Sequence, residues 1–238
     1  MERHRSRRAF LQNMGKLVGV SAAVSVFSMR LSMTEKNAKG AVSAPEISPA
    51  EDLMREHGVL SRILLIYEEI LRRMRTDKEL PASALAGSAG IVRRFIENYH
   101  EKLEEDYLFP RFREKGMHAD LVKILLDQHR AGRRLTGYIM SHVGSSNIKE
   151  KKIRGQIANY LSLFTRMYRP HKAREDTVLF PAIRAVFSPS EYADLGEKFE
   201  DKERELFGEN GFEKMVFETS AVEKALEIYD LSKFTPKL

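Results

Sequence analysis

The chain has 238 residues, 42% of them apolar and 31% charged, which is enough to build a buried core and too apolar for general disorder. It contains no cysteine, and this excludes disulfide frameworks, zinc–thiolate sites, iron–sulfur clusters, thiol catalysis and a lipidated cysteine anchor. The formal charge is +6, but residues 1–40 carry eight Lys/Arg against two Asp/Glu, and the 32 of each in the remainder cancel. The body therefore has no basic footprint for nucleic acid.

The leader holds Arg3, Arg5 and the run Ser6-Arg7-Arg8-Ala9-Phe10-Leu11-Gln12, then an apolar stretch of 13 residues, Leu17 to Met29. A membrane-spanning helix needs about 20 apolar residues, so this stretch reads as the hydrophobic region of an export signal. The paired arginines ahead of Phe-Leu resemble a twin-arginine signal. That resemblance implies the twin-arginine export machinery as a partner. It also implies a periplasmic or other extracytoplasmic location, with the chain membrane-anchored if the signal stays uncleaved. Ala38-Lys39-Gly40 and Val42-Ser43-Ala44 both offer small residues for cleavage, and Pro45 disfavours the second. Residues 1–44 are read as signal and linker.

Beyond the linker no segment alternates with period two, while helical spacing recurs throughout. Ser48-Pro49-Ala50-Glu51 is a helix start, with Ser as cap, Pro in the first turn and Glu three residues on. The first helix is expected to run to about Arg75, with a turn over Thr76 to Pro81. A second helix is expected over Ala82 to Arg113, stopped by Gly116, and a third over Ala119 to His142, stopped by Gly144-Ser145-Ser146. The fourth should cover Ile148 to Val186, kinked by Pro170, with Pro110 and Pro181 disturbing the ends of helices two and four. Ser188-Pro189-Ser190-Glu191 repeats the capping pattern and opens a fifth helix to about Phe207, and a shorter one follows over Phe212 to Glu227. Four long helices joined by short turns predict an all-α, up-down-up-down four-helix bundle over residues 48–187, with a C-terminal helical extension over 188–238.

Helices two and four contain an internal repeat. One reads His100-Glu101-Lys102-Leu103-Glu104-Glu105, ending in Leu108-Phe109-Pro110; the other reads His171-Lys172-Ala173-Arg174-Glu175-Asp176, ending in Leu179-Phe180-Pro181. Each preceding helix carries a lone His: His57 lies 43 residues before His100, and His129 lies 42 residues before His171. Residues four apart share a helix face, so each His-x3-Glu pair can aim an imidazole and a carboxylate at one point. The midpoints between successive His fall at Lys78/Glu79, Glu114/Lys115 and Glu150. All three lie at or beside predicted turns, so an antiparallel bundle brings the four His into one layer. Four nitrogen donors and two carboxylates inside an apolar core call for a metal. Six ligands on four helices suit two ions, with His57 and His100 on one, His129 and His171 on the other, and Glu104 and Glu175 between them. Imidazole and carboxylate ligation with open positions suits iron better than structural zinc, although manganese or zinc could occupy the same site.

This pattern resembles the hemerythrin-like, or HHE cation-binding, domains, and the resemblance covers residues 50–187. It implies a four-helix bundle holding two non-haem irons with an oxo or hydroxo bridge. It further implies His57, His100, Glu104, His129, His171 and Glu175 as ligands, with O2, NO or peroxide binding at the metals. Two positions depart from the oxygen carriers. Arg133 stands where those have a second third-helix His, and Glu175 lies four residues after His171 where they have an Asp five residues on. The chain is closer to the four-His branch that includes iron-centre repair proteins and cytosolic iron sensors.

The leading functional expectation is an exported di-iron protein that binds O2, NO or peroxide for sensing, storage or detoxification. The alternative is a di-iron oxidoreductase that turns over peroxide or NO with an external electron donor. A third possibility is a bundle whose His layer holds one zinc or nothing. Around the motif, Glu56 is expected at the surface. Glu101, Glu105, Asp106 and Asp176 are expected on solvated faces paired with Lys and Arg, Glu101 keeping an alternative role as extra ligand or base. Arg72-Arg73 and Arg93-Arg94 are read as solvated, His118 and His142 as helix-end residues, and Arg133 as either a surface cation or a guanidinium turned to the site.

Overall fold

The first helix begins where its capping sequence places it. In the computed structural model, which describes residues 47–76, 78–144 and 150–236, the Ser48 hydroxyl accepts from the Glu51 amide and α1 runs Pro49–Arg75. The leader, the Ser145–Asn147 loop and the expected helix start at Ile148 lie outside the described residues. The second helical rod, α2, covers residues 82–114, α3 is Ala119–His142, and the fourth rod, α4, covers residues 151–186. α5, Pro189–Phe207, opens with a full capping box between Ser188 and Glu191, and α6 is Gly211–Ala225. A single 3-10 turn, Leu231–Phe234, follows. Every regular element among the described residues is helical, and none is long and apolar enough to cross a membrane.

The four long helices form the bundle: α1 packs on α4 and α2, and α3 packs on α4. Their apolar stripes meet in one core that includes Leu53, Ile63, Tyr67, Phe95, Phe112 and Phe164. Burying such side chains stabilises the fold by about 1.5–3 kcal/mol each.

Two of the rods are not uniform α-helix. In α2 a π-helix spans Val92–His100 and a second wide turn spans Glu104–Leu108 before the last α segment, Phe109–Glu114. In α4 the α-helix Lys151–Arg174 passes into a wide turn at Glu175–Leu179 and a 3-10 turn at Phe180–Ala182. Pro170 lies inside the α-helical part, on its exposed side. The departure from α-geometry comes after it, next to Pro181, as the matching one in α2 comes next to Pro110. Each proline lacks the amide that would continue the α ladder. The wide turns take up the register change, the Phe109 amide bonding to the Glu104 carbonyl and the Phe180 amide to the Glu175 carbonyl. Wide turns of this kind concentrate at functional sites.

The extension folds back on the bundle, α6 packing on α1 and on the start of α2. Phe207 meets Phe95 and Tyr99 edge to face, and Phe212 packs tilted against Phe95. Arg62 on α1 binds Glu223 and Ser220 of α6, and Arg73 donates to the Leu226 carbonyl. Arg73 is buried, contrary to its reading as a solvated residue, because the extension covers it. Arg94 stays exposed and pairs with Glu218, while Arg93 reaches the buried Glu97.

α3 meets Tyr168 of α4 at Gly132, where an added Cβ would lie 2.0 Å from the Tyr168 hydroxyl. The missing side chain lets that hydroxyl donate to buried Glu101 at 2.6 Å. Replacing Gly132 with Ala must displace Tyr168 and orphan that hydrogen bond. Chemical denaturation should show a loss of about 2–4 kcal/mol, against a few tenths for the same change at open Gly155 on α4, after allowing for helix propensity.

Candidate metal centre

All six predicted site residues meet in one layer of the bundle, and each is at most 4% exposed. His57 from α1 and His100 from α2 face one another with their Nε2 atoms 3.0 Å apart. His129 from α3 and His171 from α4 do the same at 3.2 Å. The two carboxylates lie between the pairs. Glu175 Oε2 is 3.4 Å from His57 Nε2 and 3.1 Å from His171 Nε2. Glu104 places Oε1 3.7 Å from His100 Nε2 and Oε2 3.4 Å from His129 Nε2. The pairing of the four His expected from the duplicated motif is the one the helices produce.

The rings are held from behind by four acceptors. His57 Nδ1 donates to Asp176 at 2.6 Å, His100 Nδ1 to Glu56 at 2.8 Å, His129 Nδ1 to Glu105 at 3.1 Å, and His171 Nδ1 to Gln128 at 2.8 Å. A neutral imidazole that donates from Nδ1 presents a lone pair at Nε2. Aromatic faces hold two of the rings. Phe180 stacks on His57 at 5.2 Å and Phe109 on His129 at 5.6 Å, so both Leu-Phe-Pro runs serve the site as well as the core. The wide turns carry Phe109 and Phe180 into these positions.

Several sequence readings are corrected here. Glu56 is buried against His100, not at the surface, because its neighbour His57 puts it on the flank of α1 that α2 covers. Glu101 is buried too, holding the Tyr168 hydroxyl and Arg133. Glu105 and Asp176 do pair with Lys102 and Lys172, but each also accepts from a site His. Asp106 is exposed, as expected. Arg133 is half-buried and binds Glu101 at 2.8 Å and Glu105 at 2.7 Å, so it acts on the site through carboxylates. The sequence reading missed Gln128 and Tyr168 altogether. A signal for Gln128 existed: Glu56-His57 and Gln128-His129 belong to the same repeat as His-x3-Glu-acid, so all four outer acceptors sit at duplicated positions.

Burial dominates the electrostatics. It holds His100 well below the usual histidine range, aided by repulsion from His57, and brings His129 down to about 4. It acts on His57 in the same direction, but the hydrogen bond to Asp176 and the negative charges of Glu175 and Asp176 outweigh it and raise that group. Burial also pushes Glu104 well above the carboxylate range, with the charge of Glu175 adding to it. Glu175 goes the other way: burial is opposed and overcome by His171 and His57. None of the four oxygens of Glu104 and Glu175 has a hydrogen-bond partner.

These atoms fit a metal pair. Two nitrogens each about 2.1 Å from one ion, at about a right angle, stand about 3.0 Å apart. That matches both Nε2 separations, and partnerless buried carboxylate oxygens are what a cation would satisfy. His57, His100 and Glu104 form one group able to hold an ion, and His129, His171 and Glu175 form another.

The model of the hemerythrin HHE cation-binding domain matches residues 48–183. The chain belongs to this family. It is 48% identical over 190 residues to uncharacterized proteins of Mycobacterium bovis and of two Mycobacterium tuberculosis strains, covering 80% of this chain and 74% of theirs. No solved structure matches it.

In the metal-free chain His129 should stay neutral down to about pH 4. The unfolded state takes up that proton below the ordinary value of 6.5 and the folded state does not. This ring's contribution to stability is therefore complete above 6.5 and is lost as the pH falls from there to about 4. NMR titration of the ring nitrogens checks it: a midpoint near 6.5 would contradict the burial argument.

Proposed function

We propose that this protein is an exported non-haem di-iron protein that binds O2, NO or peroxide for sensing, storage or detoxification. The observation that carries the reading is the pair of facing Nε2 atoms at 3.0 Å and 3.2 Å with four partnerless carboxylate oxygens between them. His57, His100, His129 and His171 would supply the nitrogens, and Glu104 and Glu175 would span the two ions. When bound, iron supplies electron transfer and open positions for a small ligand.

The chain's own residues prepare that chemistry. The four Nδ1 acceptors fix tautomer and ring direction, which raises the donor strength of each Nε2. Phe109 and Phe180 hold His129 and His57 from one face and keep water off them. No second third-helix His completes the ligand set, since Arg133 stands at that position and is engaged by Glu101 and Glu105. This supports a centre open on both ions, which reacts with peroxide or NO more readily than it stores O2. Turnover of peroxide or NO with an external electron donor remains the alternative, separated by steady-state consumption assays.

The protein purified from its source should contain about two irons per chain and absorb in the near ultraviolet. His100→Ala and His171→Ala should each lose at least one iron and lower the thermal midpoint, because metal binds only the folded state. Full metal retention in both variants would refute the ligand set.

Export rests on the leader. Changing Arg7→Lys and Arg8→Lys together keeps the charge but removes the arginine pair, and cell fractionation should then find the protein in the cytoplasm. Continued export of that variant would overturn the twin-arginine reading.

A further inference from the structure

The four outer acceptors obey the internal repeat except at one position. Asp176 and Glu105 follow the two motif glutamates and hold the His of the neighbouring hairpin. Glu56 and Gln128 precede the two lone His and hold the other two rings. Three of the four are carboxylates, and Gln128 is a neutral amide.

The charge around each pair widens this difference. Behind His57 and His100 stand Asp176 at 2.6 Å and Glu56 at 2.8 Å. Glu56 lies in a buried carboxylate group with Asp52 and Glu203, and Arg55 is 3.7 Å from Asp52. Asp176 also binds Lys172 through its other oxygen. Behind His129 and His171 stand Glu105, at the longer distance of 3.1 Å, and Gln128. Glu105 shares its charge with Lys102 at 2.5 Å and Arg133 at 2.7 Å, and Glu101 on this side is held by the same Arg133. A carboxylate behind an imidazole draws the Nδ1 proton and makes Nε2 a stronger donor, and an amide does so far less. The His57–His100 pair thus has a carboxylate behind each ring, and the His129–His171 pair has one carboxylate, shared with two cations, and one neutral amide.

We propose that the two metal positions are inequivalent. The His57–His100 position is the tightly held one. The His129–His171 position is the weaker, more electron-poor one that takes an anionic small ligand, and Gln128 is the residue that sets the difference. This rests on the two-metal reading above.

The test is a stepwise anaerobic titration of the metal-free, full-length chain with Fe(II) against a competing chelator. Azide binding to the oxidised, fully loaded protein is measured in parallel. The wild type should show two steps, their affinities separated by about 10–100-fold. Gln128→Glu, which keeps the shape, should raise the weaker step towards the stronger, leave the stronger unchanged, and weaken azide by about tenfold. Asp176→Asn should lower the stronger step by about 10–100-fold. Equal steps in the wild type, or a Gln128→Glu variant that matches wild type in both measurements, would overturn the inference and leave the two-metal reading standing. Uptake of one ion or none would overturn that reading and this inference with it.

Discussion

Four imidazoles and two carboxylates are buried in an apolar core, and the rest of the fold is arranged around their cost. Desolvating one unpaired charge costs several kcal/mol, comparable with the whole stability of a domain. The chain answers by giving each ring an acceptor on its outer nitrogen and turning every inner nitrogen towards the carboxylates. Burial pushes both Glu104 and Glu175 upward, but at Glu175 the rings of His171 and His57 outweigh it, so the two carboxyls end up shifted in opposite directions. A cation in the layer would relieve both.

The backbone serves that layer as much as the side chains do. Glu104 and Glu175 each open a wide helical turn that ends just before a proline. An α-helix carried through those points would need an amide the proline lacks. The wider turn avoids this and places the following phenylalanine on the ring of a His from another helix, Phe109 on His129 of α3 and Phe180 on His57 of α1. The Leu-Phe-Pro runs are thus both helix punctuation and packing for the site. Gly132 plays a similar part on α3, since its missing side chain is the space that the Tyr168 hydroxyl crosses to reach Glu101.

The C-terminal extension is joined to the bundle by aromatic packing and by contacts to Arg62 and Arg73. One of its residues comes close to the site's outer ring of acceptors. Glu203 on α5 belongs to the buried carboxylate group that includes Glu56, and its Oε1 accepts from the Phe212 amide at the start of α6. The helix-to-helix corner is therefore built around a side chain two contacts away from His100. Gly211 fits there because an added Cβ would lie 2.8 Å from Phe207 and 2.9 Å from Glu203.

The sequence alone was enough for the helical class, the helix starts at Ser48 and Ser188, and the convergence of His57, His100, Glu104, His129, His171 and Glu175. Those features follow from periodicity and spacing along single helices, and from equal distances to turns, which one dimension records. The partners of the rings were not legible in the same way. Glu56, Glu105 and Asp176 look like ordinary helix-surface acids, and only the neighbouring helix decides that they face a ring. Arg73 looks like a solvated cation until the extension covers it. Gln128 and Tyr168 carry no signal of charge, and their roles depend on a contact between α3 and α4 that only the packed bundle creates. Local patterns select which groups point inward, while burial and cross-helix distance decide what each group meets there.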